Sequence, residues 1–413
     1  MNPRLISLHS TLFVSLALAC ACDVQSPPDS TGGVVLDEAS SGCSRALVIT
    51  LSDYISTNVA LSSLDGTTLS GSFVSTSAKT PGLAFALSGD VVVPSDAPAS
   101  KRVVLLDRFG TNVITWLDPA SAKVLSQLPV GTGFEANAQD YLELDPSLAF
   151  VSRFGSNPQP GRQAFDAGGD LLVIDTKVPA IIDSLALPEE EPALNPSPGA
   201  MTRVGHHVVV ALGRMSADFS QVGTARYVGV DPSTRHIDWT LELPGLKGCG
   251  KLNLAPSGHV GAVACSGQYD ATTFSYPPEN SDVVLLDLSA SPPTEIRRLG
   301  LGKTLGAALQ PDVVFASEQM LLATTYGTGA VGDALVSVAV DTAVATPVLN
   351  TAKPYALGSV ACLPNCNGLC FLADAERNVL HRFRVTQATS LEKLDAIPVE
   401  TEIGLPPRQI SAI

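Results

Sequence analysis

Positive charge and aromatic side chains are both scarce in this chain. Its 413 residues hold 25 Lys and Arg against 40 Asp and Glu, a formal charge of −15. Such a field repels phosphate backbones and anionic headgroups, so nucleic acid is not an expected partner. Aromatic residues make up 5% of the sequence and charged residues 16%, although 45% is hydrophobic. Beyond the N-terminus no run of 18 residues is free of polar interruption, so no membrane-spanning helix is expected. Catalytic signatures are missing too. There is no Gly-x-Ser-x-Gly elbow, no His-Glu-x-x-His and no EF-hand loop, and GLGKT (300–304) has Arg297 where a phosphate-binding loop needs its first Gly. The sequence therefore assigns no cofactor and no metal. His206, His207, His236, His259 and His381 are scattered, the first two in an inner hairpin and the next two in turns, and are read as solvated or packed side chains.

What is plentiful is Gly, with 34 residues, and Pro, with 30. With a large apolar fraction, they fit many short strands joined by turns. The length alone suggests two or three domains, but repetitive all-β chains escape that rule.

The N-terminus has its own character. Residues 1–19 combine a basic start at Arg4, an apolar stretch from Thr11 to Ala19 and small residues before a cysteine, the pattern of an export signal. The segment Leu16-Ala17-Leu18-Ala19-Cys20 resembles the bacterial lipobox, with Ala17 where Leu is usual. That resemblance implies lipid attachment at Cys20, with Cys22 as the alternative, and a membrane-anchored protein of the cell envelope facing the periplasm or exterior. Residues 20–42 carry the anchor and a Ser-, Pro-, Gly- and Asp-rich tether, and 43–413 form the folded domain.

A repeat runs through that domain. An apolar strand ending in Asp, a short turn and a second strand appear as VITWLDPASAKVLSQLPV (113–130), LLVIDTKVPAIIDSLAL (171–187), YVGVDPSTRHIDWTLEL (227–243), VVLLDLSASPPTEIRRLGL (283–301) and ALVSVAVDTAVATPVL (334–349). VALSSLDGTTLSGSF (59–73) is a weaker copy, and VLHRFRVTQATSLEKL (379–394) carries Thr386 in place of the Asp. The acids Asp65, Asp118, Asp175, Asp231, Asp287 and Asp341 lie 53 to 57 residues apart, a period suited to a four-stranded blade. Upstream, DVVVPSDAPASKRVVLLDRFGTNVITWLDPASAKV (90–124) adds strand, turn, strand, Asn before the Asp-ending strand, and YLELDPSLAFVSRFGSNP (141–158) matches its front half. This unit resembles the YVTN family of β-propeller repeats, which implies fold and says little about activity. Both the Asp series and the residues before each third strand (Asn58, Asn112, Asp170, Asp282, Asp333, Asn378) are read as turn formers.

Seven strand pairs predict an all-β, seven-bladed propeller of four-stranded blades. The N-terminal unit starts at RALVITLSDY (45–54) without a first strand, so 408–413 is expected to complete blade one. Six cysteines remain in the domain, and in an oxidising compartment they are disulfide candidates. Cys249 with Cys265 and Cys362 with Cys370 flank hairpins, leaving Cys43 for Cys366. Zinc held by Cys362, Cys366, Cys370 and His381 is the alternative, at a spacing unlike the usual one.

One feature points to function. The links between second and third strands are long in blades three, four and five (153–170, 213–226, 266–282) and share one face. They carry Arg153, Phe154, Arg162, Phe165, Arg214, Phe219, Tyr269, Phe274 and Tyr276, the residue types of recognition surfaces. The leading expectation is a non-enzymatic propeller that binds a protein, peptide or glycan. The alternatives are an envelope enzyme of the propeller lactonase or lyase kind, with its site at the channel mouth, and a purely structural protein whose loops close over the channel.

Overall fold

The strand-forming runs are rich in Val, Ile and Leu and are punctuated by Asp, Gly and Pro, so each ends where a turn is cheapest. The computed structural model describes residues 43–77, 79–329, 331–399 and 403–413. The export signal, Cys20, Cys22 and the tether lie outside the described residues. Twenty-eight strands form seven four-stranded antiparallel sheets, a seven-bladed β-propeller. The C-terminal strand Pro407–Ala412 pairs antiparallel with Leu47–Ser52 and becomes the innermost strand of blade one. Blades two to seven each take their strands in chain order.

Inner strands are buried on both faces because each blade is covered by two neighbours. Val103–Asp107, for example, is buried throughout, whereas the outer strand Lys123–Pro129 is half exposed. The core is accordingly seven apolar layers, one for each blade junction. Val48 and Leu61 of blade one meet Val103 and Leu105 of blade two. At the ring's closing junction, Leu47 and Ile410 of blade one meet Phe371 and Leu380 of blade seven.

Polar bonds stitch the inner strands together inside these layers. Ile410 N donates to Ser359 Oγ at 2.9 Å and Val93 N to Gln409 Oε1 at 3.2 Å, tying blade one to seven and to two. Asp140 accepts from Ser95 of blade two and from Met201 N of blade four. Thr202 Oγ1 donates to Leu252 O at 2.7 Å, and Val360 N donates to Asp312 at 3.3 Å. The residues before third strands also reach across blades. Asn112 Oδ1 accepts the amides of Ala136 and Asn137, and Asp333 accepts those of Gly327, Tyr355, Ala356 and Leu357.

Among the described residues three disulfides are present: Cys43–Cys366, Cys249–Cys265 and Cys362–Cys370. The first joins residues 323 apart in sequence and pins the start of the domain to blade seven. The zinc alternative is overturned, because its three cysteines are consumed in these bonds, while His381 Nε2 pairs with Asp374 at 2.8 Å. Among the described residues no helix is long and apolar enough to cross a membrane.

The turn aspartates behave as their positions suggest. Asp175 accepts the amides of Lys177 and Val178, and Asp231 and Asp287 accept both the amide and the hydroxyl of a Ser two residues on. These bonds favour the ionised form and hold all three carboxyls below the ordinary range, that of Asp231 at about 2. Such groups stabilise the fold fully above the ordinary carboxylate pKa, and the contribution is lost as pH falls towards 2. Buried Asp107, Asp140 and Asp312 shift upward, so the test is a comparison. Between pH 4.5 and 2, the urea midpoint of the Asp231→Asn variant is expected to fall less than that of the parent; equal falls would contradict the assignment.

Candidate functional site

In an antiparallel blade, the links from second to third strand and from one blade to the next open on the same face. This upper face carries the long links of blades three, four and five, at residues 157–167, 213–224 and 266–281. It also gathers most of the exposed large apolar side chains: Tyr54, Phe109, Phe219, Phe274 and Tyr355 are each more than half exposed. Tyr54, Phe165, Phe219, Phe274 and Tyr355 have φ between +53° and +68°. Bulky side chains rarely take this conformation, which carries a backbone cost.

Between blades three, four, five and six the upper face opens into a cleft of about 810 Å³. Phe154, Phe219, Tyr269, Tyr276 and Tyr326 supply its ring surfaces, and Gln139, Gln268 and Asn280 its amides. Tyr276 stacks on Tyr326 at 4.8 Å with planes 13° apart, meets Tyr269 edge-on at 5.3 Å, and Tyr326 continues to Tyr355 at 5.8 Å. Across the cleft Phe154 stacks on Phe219 at 6.3 Å. Burial holds the Tyr276 and Tyr326 phenols above their usual pKa, so both are neutral hydrogen-bonding groups at physiological pH. Among the described residues Asp270 is the only acidic one in the lining, and its Oδ1 accepts from Thr272 N at 2.7 Å.

The nine residues singled out in the sequence divide. Phe154, Phe219, Tyr269 and Tyr276 line the cleft, and Phe274 stands exposed on the loop between the last two. Arg162 is exposed on the blade-three loop and reaches Gln159. Arg153, Arg214 and Phe165 are instead turned inward. Arg153 is fully buried, forks onto Asp170 at 2.8 and 2.7 Å and also donates to Val130 O, Thr132 Oγ1 and Phe165 O. Arg214 is buried against Glu189 at 2.7 and 2.8 Å and reaches Glu191 at 2.7 Å. Phe165 packs on the layer between blades two and three. Sequence reasoning counted these arginines as exposed because their acidic partners lie 17 and 25 residues away. It missed Tyr326 and Tyr355, although both occupy links that open on the upper face.

Below the cleft runs the central channel, a cavity of about 520 Å³ that shares Gln139, Ala200, Gly250 and Pro311 with the cleft. The inner edges of blades five and six pack closely here, since a Cβ on Gly250 would sit 1.8 Å from Pro311 O. Ionisable groups meet here: Asp96, Asp140, Asp312 and Lys251. Lys251 Nζ of blade five crosses to blade two, bonding Asp96 at 2.5 Å and Ser95 O at 2.9 Å. Burial raises the carboxyls of Asp140 and Asp312, and the Lys251 charge opposes it. Asp140 is committed to Ser95, Tyr141 N and Met201 N, whereas Asp312 accepts from Val360 N and Asp96 from Lys251.

No protein-family model matches the chain, and no curated protein matches it either. Solved structures do. A Bacteroides fragilis protein described as a candidate 6-phosphogluconolactonase aligns at TM-score 0.53 and 12% identity, over 91% of this chain and all of that one. The Pseudomonas aeruginosa periplasmic gluconolactonase aligns at 0.52 and 12%, over 88% and 98%. Hydrazine synthase of Kuenenia stuttgartiensis aligns at 0.50 and 10%, over 78% and 90%. At such identities the likeness shows the seven-bladed fold alone, and the differing activities of these neighbours underline that.

Arg153 offers a direct test of the buried bracing. Replacing it with Met strands Asp170 in the interior and is expected to lower stability by about 3–5 kcal/mol in urea unfolding. A loss below about 1 kcal/mol would contradict the role.

Proposed function

We propose that this chain is an exported, lipid-anchored cell-envelope protein whose propeller binds a neutral glycan, without chemistry, in the cleft between blades three, four, five and six. The lining carries the reading: stacked tyrosine and phenylalanine rings, amides and hydroxyls, and one acidic group already tied to its own loop. Ring faces pack against the C–H faces of sugars, while amides and neutral phenols exchange hydrogen bonds with sugar hydroxyls. A protein or peptide partner would use the same aromatic surface, but the scarcity of charge and the concave form favour the glycan.

Three disulfides suit an oxidising compartment, and the lipobox-like segment supplies the anchor. Cys43 is held to Cys366, which lies in a turn between first and second strands and so on the lower face. Cys43, where the described domain begins, therefore lies on the side opposite the cleft. The repeat is read as YVTN-type on its strongest units.

A second reading, a lactonase or lyase, is favoured by Asp140 and Asp312 facing Lys251 below the cleft. Against it, Asp140 and Asp96 are committed to bonds that hold the ring. Calorimetric titration with N-acetylglucosamine oligomers separates the readings. Saturable binding is expected, weakened by about 1–2 kcal/mol, roughly 5- to 30-fold, in Tyr276→Ala and Tyr326→Ala and retained in Asp312→Asn. Absence of saccharide binding, with lactone hydrolysis that disappears in Asp312→Asn, would overturn the first reading in favour of the second.

A further inference from the structure

On the lower face of blade four, away from cleft and channel, two imidazoles and a carboxylate converge. Gly205, with φ +58°, starts a two-residue turn that ends at His206, and His207 opens the second strand, His207–Leu212. Asp238 stands near the start of the outer strand, His236–Leu243. One donor atom from each of His206, His207 and Asp238 lies within 4.8 Å of the other two. His207 Nε2 is 2.8 Å from Asp238 Oδ2, and the two imidazole centroids are 3.8 Å apart.

We propose that this triad binds one divalent transition-metal ion of the Zn²⁺ class. The pair with Asp238 accounts for His207 alone, whereas an ion accounts for the second imidazole brought to the same point. Two neutral imidazole nitrogens and a carboxylate oxygen form a donor set that zinc takes, leaving the fourth tetrahedral position to water or an outside ligand. Tetrahedral zinc at about 2.0–2.1 Å holds its ligand atoms about 3.3 Å apart, so the His207–Asp238 contact must open slightly and the wider gaps close. Those adjustments fall on His206 and Asp238, which are exposed. The third ligand is held firm, because His207 is 6% exposed and meets Trp239 edge-on at 5.8 Å. Arg235, three residues before Asp238, is engaged by Asp183 at 2.6 Å and is not left to oppose a cation.

The test uses the purified full chain stripped with a chelator. Titration with ZnCl₂ by calorimetry is expected to give one ion per chain, and Co²⁺ to give the visible absorption of a tetrahedral nitrogen–oxygen site. His206→Ala and Asp238→Asn are exposed changes and are expected to weaken binding at least tenfold, with metal-free thermal unfolding unaltered in His206→Ala. His207→Ala is not used alone, since its packing on Trp239 couples it to the fold. No stoichiometric binding, or undiminished affinity in either exposed variant, overturns the assignment.

Discussion

Everything on this molecule's two faces depends on one antiparallel pairing, that of Pro407–Ala412 with Leu47–Ser52. A propeller whose first blade lacked its inner strand would expose a sheet edge and leave blade seven without the neighbour that Ile410 supplies. The chain secures the closing strand and its surroundings in three ways. Ser359 of blade seven accepts the amide of Ile410, Gln409 accepts the amide of Val93 in blade two, and Cys43–Cys366 joins the start of the domain covalently to blade seven. A crosslink between residues so far apart in sequence removes much freedom from the unfolded chain.

A closed ring can carry strain that an open sheet could not. Five aromatic residues of the upper loops hold left-handed backbone conformations, and their cost is met by the packing beneath them. Buried charge is handled in the same way. Arg153 with Asp170 and Arg214 with Glu189 brace the roots of the long links, so the rings of Phe154 and Phe219 stand on rigid supports. Pre-organised aromatic surface of this kind loses little freedom when a ligand docks, which favours binding by shape and stacking. The channel below is a different environment, where carboxylates and Lys251 mainly hold blades together across the axis.

Much of this was legible in the sequence, for a physical reason. Asp at the end of a third strand makes bonds two or three residues ahead, so its signal is local and recurs in six of the seven blades; the seventh, with Thr386 in that place, is counted from its strand pair. Ring closure was legible because the last junction leads to a strand with no blade after it, and the expected 408–413 compares with Pro407–Ala412. What sequence could not show is contact at a distance. Asp333 looks like a turn former, yet it organises amides 22 to 24 residues further on, at the entry to the next blade. Arg153 looks like a loop cation until Asp170 is seen to enclose it. Tyr326 and Tyr355 lie in short, unremarked links, and only the stacking with Tyr276 reveals that they extend the cleft wall. His206 and His207 were placed in the right hairpin, but Asp238 enters their group through the outer strand.

Hydrogen exchange on the purified protein tests the central claim, that a closed ring with a braced upper face is the framework on which the cleft is built. The account predicts that Pro407–Ala412 is protected as strongly as its partner Leu47–Ser52, both opening only with the whole ring, while the tips of the 266–281 link exchange early. Rapid exchange of the C-terminal strand alongside slow exchange of blades two to seven would contradict it, and would make closure a dispensable feature.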